Sequence, residues 1–388
     1  MKMKTEVLMV VAGLVNGGVE RVVVNIACGL NRDKFKVYVY CIDCKGAIYK
    51  EVLEQHGVSV IDHEIEKKEV ARGNKHVVLY RSLKNFIQKH PSITVLHNHS
   101  GNHSIEVMLA ARTCKLPVIV EHSHMAYSKY WNPTFFSCKS KIVSRISKCV
   151  TEKIPNYKVG CSRAACERIF SRTENQYFIP NGVDYSVFNY DILPSKAKLR
   201  EKYHLEDFGI YLIFVGRFVE QKNPLFMLEV FSYAAEHIPN IHLLLVGYGE
   251  MEDVIKNKIK ELGITKKVEF LSPESNVPEL MKASDYFITP SIYEGLGITF
   301  VEAQLMGIPA FASDQVPQEA NLGMCEFITL DGGSKVYAEY ILDYIRKEKF
   351  KKKRVIPELT ELYDMKNVIC AYESIYQNKR GEVEKYRI

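Results

Sequence analysis

Residues 286–313, YFITPSIYEGLGITFVEAQLMGIPAFAS, decide the fold. An apolar, β-branched run at Tyr286–Thr289 leads into a glycine loop and an amphipathic stretch, and a second apolar run follows at Ala310–Ser313. That order is a βαβ unit, in which a helix carries the chain back over the sheet so that the two strands lie parallel. Ligands of such sheets bind beyond the carboxyl ends of the strands, and the glycine loop falls there. Gly295 and Gly297 let backbone approach a ligand with no Cβ in the way. The helix that follows offers unpaired N–H groups and a positive dipole end to phosphate. Glu294 and Glu302, with seven residues between them, stand at either side of this loop. A carboxylate accepts hydrogen bonds from two neighbouring hydroxyls, so one glutamate suits a ribose diol and the other a hexose diol. A plain glycine turn with two solvated glutamates competes with that reading, and the rest of the chain decides between them.

The same alternation runs throughout. In the first half, Val7–Ala12, Lys36–Cys41, Thr94–His97 and Pro117–Val120 read as strands, with helices near Val19–Leu30 and Val77–Lys89. In the second, Ile210–Val215, His242–Val246, Lys267–Leu271, Tyr286–Thr289 and Ala310–Ser313 read as strands. A chain of 388 residues exceeds one compact core and suits two domains. The expected class is α/β, with two doubly wound, Rossmann-like domains at 1–184 and 195–362, joined by a linker at 185–194 that contains Asp191 and Pro194.

Further short stretches carry a resemblance. GGVER at 17–21, IPNGVD at 179–184, FVGRFVEQKNP at 214–224, LLLVGYGE at 243–250 and NVPELMKASDYFITPS at 276–291 join the E-x7-E segment, in this order and across both halves. With them the chain resembles the retaining GT-B glycosyltransferases of family four (glycosyl transferases group 1), and within it the bacterial capsular and exopolysaccharide enzymes. The resemblance implies the GT-B fold, two Rossmann-like domains facing a cleft. The first domain would bind the acceptor and the second the nucleotide-sugar donor, while a C-terminal helix at about 363–388 returns to the first. Val368, Ile369, Tyr372 and Ile375 do show helical spacing there.

It also implies the site. Arg217 and Lys222 clamp the donor diphosphate, with Gly216, Gly17 and Gly18 giving backbone N–H groups near the same phosphates. Glu302 takes the ribose hydroxyls and Glu294 the transferred sugar, and backbone from Gly295, Leu296, Gly297, Ile298 and Thr299 surrounds sugar and phosphate. Ser275, Asn276 and Val277 form the loop that reads the nucleobase edge. Gly247, with Gly249, is either a donor contact or a structural turn. His122 matches the active-site histidine beside the sugar, and His99 and His124 compete for that role. The chain departs from many relatives at Asn223, where they have glycine, and at Thr299, where they have proline.

The implied reaction is transfer of a sugar from a nucleotide-diphosphate sugar, a UDP-sugar favoured over a GDP-sugar, to a glycan or lipid-linked sugar acceptor. Retention follows from the family, and no carboxylate reads as an obvious covalent nucleophile, so a front-face displacement is favoured. No cofactor is expected, nor a metal, because Arg217, Lys222 and helix N-termini would neutralise the diphosphate. Rivals are a GT-B nucleotide-sugar epimerase, a non-catalytic pathway subunit and a nicotinamide oxidoreductase. The last lacks a G-x-G-x-x-G opening either domain with an acid ~20 residues on.

Composition bounds the rest. Hydrophobic content of 47% and charged content of 25% are those of a globular protein, and no apolar run reaches the ~18 residues of a membrane span. The apolar start is interrupted by Glu6 and ends in a glycine turn, so a first buried strand fits better than a signal peptide and the expected location is cytoplasmic. Ten cysteines fit there as reduced thiols; the Cys41 and Cys44 pair has no second pair to complete a zinc ribbon. The clusters HNHSGNH (97–103) and EHSH (121–124) fit a substrate cleft as well as a metal.

Net charge is +6, unevenly spread. Residues 1–190 hold 27 Lys+Arg against 16 Asp+Glu, and the remainder 25 against 30. No nucleic-acid motif accompanies this excess, so an anionic membrane surface or a lipid diphosphate is the expected partner. Two basic amphipathic stretches, Lys75–Lys89 with Arg81 and Lys84, and Lys139–Lys153 with Lys141, Arg145 and Lys148, predict peripheral docking on the inner face of the cell membrane. The oligomeric state is not legible.

Overall fold

The computed structural model describes residues 3–15, 17–70, 73–126, 138–272, 275–347 and 355–388. Two compact units result. Of the described residues, the first comprises 3–15, 17–70, 73–126, 138–182 and 365–388, and the second 183–272, 275–347 and 355–364.

The first unit holds seven strands: β1 (Thr5–Gly13), β2 (Phe35–Asp43), β3 (Ser59–Asp62), β4 (Ile93–Asn98), β5 (Val118–Ser123), β6 (Tyr157–Gly160) and β7 (Gln176–Phe178). Their order is β3-β2-β1-β4-β5-β6-β7, parallel throughout. Val7 to Val11 of β1 are fully buried, as a strand covered on both faces requires. The sequence reading missed β3 and β6. Both are short and broken by polar residues, Ser59 and Asp62 in β3 and Lys158 in β6, so no apolar run registers. The helix Met365–Tyr376 belongs to this unit and packs near the helix Gly18–Gly29, where a Cβ on Gly29 would lie 2.7 Å from Ile369.

The second unit carries six strands: β8 (Ile210–Val215), β9 (Ile241–Val246), β10 (Val268–Leu271), β11 (Tyr286–Thr289), β12 (Ala310–Ser313) and β13 (Cys325–Ile328). The order is β10-β9-β8-β11-β12-β13, again all parallel. Phe214, Phe218, Phe231, Leu243, Leu245 and Tyr337 lie in its core. Residues 183–195 are held to this unit: the Lys282 ammonium donates to the carbonyls of Tyr190 (2.5 Å) and Leu193 (3.0 Å). Both strand orders reverse beside the first strand of the unit, which puts a crevice at the carboxyl ends of β1 and β4, and of β8 and β11.

The two basic stretches fold as helices Lys75–Lys89 and Cys138–Lys153. The main apolar face of the first is occupied. Leu79, Leu83, Phe86 and Ile87 are buried in the first unit's core, and of its apolar residues Val77 is exposed beside the charges. On the second, Ile146 is exposed beside Arg145 and Lys148, while the side chains of Lys141, Ile142 and Val143 lie outside the described residues. Among the described residues no helix is long and apolar enough to cross a membrane.

Candidate functional site

In the second unit the candidate residues gather where β8 and β11 end. Leaving β8, the chain forms a turn at Glu220–Lys222 and enters the helix Pro224–His237 through Asn223, which adopts a left-handed conformation at φ 54°. Asparagine tolerates that region, and Pro224 presets the first helical turn. Lys222 lies over Gly216, where an added Cβ would meet its Cε at 3.6 Å. Its ammonium reaches Glu294 Oε1 at 2.5 Å, and the Ser291 hydroxyl donates to the same oxygen at 2.7 Å. The pair is largely buried, at 14% and 7% side-chain exposure. Two hydrogen bonds fix the loops to each other: Ile292 N–H to the Gln221 carbonyl (2.8 Å) and Gln221 Nε2 to the Tyr293 carbonyl (3.0 Å). Arg217 is exposed and has no carboxylate partner among the described residues, so its guanidinium is open to an anion.

Gly297 is the N-cap of the helix Ile298–Leu305 at φ 79°, and a Cβ there would come within 2.7 Å of the Phe300 ring. Glycine is therefore required by backbone and packing together. Within the first turn, the buried Thr299 hydroxyl has no hydrogen-bond partner among the described residues. One turn further on, Glu302 is buried at 6% exposure.

Gly247 and Gly249 have a structural reason to be glycine. A Cβ on the first would overlap the Gly216 carbonyl at 1.9 Å, and one on the second the Phe218 carbonyl at 2.4 Å. Asn276 caps the helix Val277–Ala283 by accepting from the Glu279 N–H (3.2 Å), and Ser275 N–H donates to the Ser272 carbonyl (2.9 Å). These bonds fix the loop's backbone.

In the first unit, Gly17 is the N-cap of the helix Gly18–Gly29, and Glu20 lies so close that a Cβ on Gly17 would overlap its carboxylate. Beyond β4 and β5, His97, His99, His122 and His124 form one cluster. His97 Nε2 lies 3.2 Å from His122 Nδ1, and His99 Nδ1 lies 2.9 Å from His124 Nε2. The C-terminal helix adds Tyr376, whose hydroxyl sits 2.6 Å from His97 Nδ1, and Tyr372, 3.5 Å from His122 Nδ1. Burial drives all four imidazole pKa values down, and mutual repulsion adds to this for His97, His99 and His122, so the rings are neutral near pH 7. His99 Nε2, His122 Nε2 and His124 Nδ1 are buried without a partner among the described residues. Three candidates named from sequence are thus brought together, and His97, Tyr372 and Tyr376 join them. Tyr372 and Tyr376 lie 250 and 279 residues from the histidines they touch; helical spacing marked Tyr372 as one of an apolar set, and Tyr376 was missed.

Behind the cluster, Glu121 is wholly buried. It accepts from Ser104 Oγ (2.5 Å) and Asn98 Nδ2 (2.8 Å), and burial pushes its pKa up to about 7. It ties the loop after β4 to β5. His97, His99 and His122 offer donor atoms within 4.8 Å of one another, a spacing open to a metal ion.

Known proteins resemble this chain in sequence and in fold. Residues 16–187 match the family described as Glycosyltransferase Family 4, and residues 195–356 match Glycosyl transferases group 1. EpsF of Bacillus subtilis (strain 168) is 26% identical over 95% of this chain and 96% of its own length. The UDP-Gal:alpha-D-GlcNAc-diphosphoundecaprenol alpha-1,3-galactosyltransferase of Escherichia coli is 29% identical over 62% of this chain and 64% of its own. AmsD, an amylovoran biosynthesis glycosyltransferase of Erwinia amylovora, is 32% identical over 35% of each. In fold, HepE of Anabaena, crystallised with UDP, superposes with a TM-score of 0.73 over 99% of this chain and 100% of its own at 20% identity. With a matching domain in each half and six-plus-seven-stranded parallel sheets, the chain is a glycosyltransferase of the group 1 type, built on the GT-B fold.

Proposed function

We propose that this protein is a retaining hexosyltransferase that moves a sugar from a UDP-sugar to a lipid-diphosphate-linked sugar in bacterial exopolysaccharide or capsule synthesis. The observation that carries this is the Lys222, Glu294 and Ser291 constellation beside the left-handed Gly297 and an exposed Arg217 with no carboxylate partner among the described residues, all at the carboxyl edge of one parallel sheet. A diphosphate leaving group needs cations where its charge develops, and fixed cations in a partly dry site are worth several kcal/mol of barrier. Arg217 and Lys222 supply them. Glu294 holds the transferred sugar and Glu302 the ribose, with the Thr299 hydroxyl and the N–H groups of Gly295 to Ile298 directed to phosphate and sugar oxygens. His122 of the first unit orients the reacting sugar as a neutral donor or acceptor.

In the favoured front-face displacement the anomeric carbon loses its bond to the diphosphate oxygen and gains one to the acceptor hydroxyl oxygen on the same face. The acceptor proton passes to the departing phosphate oxygen, so no separate base is needed. UDP is favoured as the carrier because the solved HepE complex holds UDP and the E. coli relative is named for a UDP-sugar. The name of that relative also supplies the acceptor class, and AmsD the polysaccharide setting. The peripheral membrane location rests on the basic first half and on the exposed Arg145 and Lys148.

The test mixes UDP-hexoses with a sugar linked to a prenyl diphosphate, follows UDP release and reads the anomeric configuration of the product by proton coupling. Release of UDP with a retained linkage is expected. Binding of GDP in preference to UDP, or an inverted product, would overturn the reading.

A further inference from the structure

The first unit carries a second cavity that no step above uses. It has a volume of about 880 Å³ and opens beyond the carboxyl ends of β2 and β3, where Asp43 and His63 lie. Lys45, Lys67, Lys68 and Lys75 line it. Two carboxylates oppose these cations: Glu64 pairs with Lys67 at 2.6 Å, and Asp43 accepts from the backbone N–H of Lys45 at 3.1 Å. Lys45, Lys68 and Lys75 are exposed and have no carboxylate partner within 4 Å among the described residues.

The helix Lys75–Lys89 starts at this cavity, and its first turn contains no acidic residue. It contains Lys75 instead, the reverse of what the helix dipole favours, while the His76 ring beside it pairs with the Glu106 carboxylate. The Asn74 side chain accepts from the His76 N–H (3.0 Å), one of the first-turn donors that a helix start leaves without an intrahelical partner. Positive side chains at a positive helix end cost stability unless an anion answers them. Ile42, Val70, Val78 and Leu79 give the same cavity an apolar side.

His103 connects this cavity to the histidine cluster. It lines the cavity and ends the turn Gly101–His103, which follows directly on β4 with His97 and His99. Its Nδ1 is buried without a partner among the described residues. Both features therefore share one sheet edge, with β1 between β2 and β4.

We infer that this lysine-lined cavity is the subsite for the diphosphate of a prenyl-diphosphate-linked acceptor, with Lys45, Lys68, Lys75 and the helix start on the phosphates and the apolar side against the first prenyl unit. The inference rests on the acceptor class proposed above. A diphosphate seated here directs its attached sugar along the sheet edge toward His99 and His122. Lysine ammonium groups suit this task as point charges, each able to answer a phosphate oxygen without a fixed fork geometry.

The test uses the full chain and calorimetry with geranyl diphosphate, inorganic pyrophosphate and sulfate at matched ionic strength, each with UDP present at saturation. Geranyl diphosphate is expected to bind at least ~10-fold more tightly than pyrophosphate, the apolar side accounting for the difference. Pyrophosphate should bind more tightly than sulfate. Lys68→Glu with Lys75→Glu, at two exposed positions, should weaken geranyl diphosphate by ~10-fold or more while UDP binding stays as in the wild type. Three results overturn the inference: no diphosphate binding once UDP is saturating, binding that ignores Lys68→Glu/Lys75→Glu, or equal affinity for geranyl diphosphate and pyrophosphate, which would mark a free-anion site. Failure of UDP itself to bind would strike the donor reading instead, so the two are separable.

Discussion

The Lys222–Glu294 pair makes the sharpest quantitative test of the second unit. Both side chains are largely buried, the ammonium and carboxylate sit 2.5 Å apart, and Ser291 adds a second donor to the same oxygen. Removing one member of a buried pair leaves the other charge unanswered at a cost of about 3–5 kcal/mol, whereas replacing both by neutral groups of similar size is nearly neutral. Lys222→Met should therefore lower the melting temperature of the second unit by ~6–20 °C, taking ~2–4 °C per kcal/mol for a domain of this size. Glu294→Gln retains an acceptor for Ser291 but strands the ammonium, so a smaller loss is expected. The double variant Lys222→Met/Glu294→Gln should recover most of the stability and none of the transferase activity. Differential scanning calorimetry of the four proteins gives the coupling, which should be at least ~2 kcal/mol. Additive losses in the double variant would show that the pair contributes no coupling. Recovered activity would show that Lys222 does not serve the diphosphate.

Other outcomes follow from single sites. Glu121 has its folded pKa raised from 4.5 to about 7, so the native state holds a proton that the unfolded chain has lost. Stability should fall by ~3 kcal/mol as pH rises from about 4.5 to 7 and level off above. Glu121→Gln mimics the protonated acid and should flatten that slope, raising the urea midpoint above wild type at pH 8 and leaving it near wild type at pH 5; parallel curves would refute the assignment. Gly297→Ala should cost ~1–3 kcal/mol, because the left-handed backbone and the Phe300 ring both reject a methyl group, and UDP affinity by calorimetry should fall with it. His122→Ala should lower kcat far more than UDP affinity, and a large loss of UDP binding would place the ring at the nucleotide. Anionic vesicles should co-sediment the protein at low salt and release it at high salt, since attraction of ~1 kcal/mol per basic residue is screened; equal binding to neutral vesicles would sink electrostatic docking.

The fold was legible because both sheets are built from apolar runs long enough to show themselves. β1, β2, β8 and β9 each bury both faces, and a strand covered on both sides reads as a continuous apolar run. The glycine loop was legible for a similar reason. Only a position such as Gly297, with φ 79° and a ring against the missing Cβ, keeps a glycine there on steric grounds alone. The short edge strand β3 was not legible: Ser59–Asp62 is only partly buried, and four residues pair with β2 because the register Tyr38 to Ser59 is set by tertiary packing.

Long-range pairing is where local pattern stops carrying information. An amphipathic period says that one face of Lys75–Lys89 is apolar but not whether it meets a bilayer or a core, and the structure gives that face to Leu8, Val10 and Leu96 of the sheet. Likewise the resemblance favours His122 from sequence, but His99 and His124 also lie near strand ends and compete with it. What separates them is Tyr376 on His97 and Tyr372 beside His122, contacts made by a helix at the far end of the chain. Those contacts change the chemistry of the choice. His97 uses both ring nitrogens on neighbours, Nδ1 on a tyrosine hydroxyl and Nε2 on His122, which leaves it to fix the tautomer and orientation of the ring beside it. His122 keeps Nε2 without a partner among the described residues, and so has a nitrogen to offer a substrate, as do His99 through Nε2 and His124 through Nδ1. The geometry gives His97 a supporting place and leaves His99, His122 and His124 as the competitors. Of these, His99 and His124 hold each other, whereas His122 is held by His97 and, among the described residues, is the one also approached by a tyrosine hydroxyl, an arrangement that fixes which tautomer a neutral imidazole presents to a sugar hydroxyl.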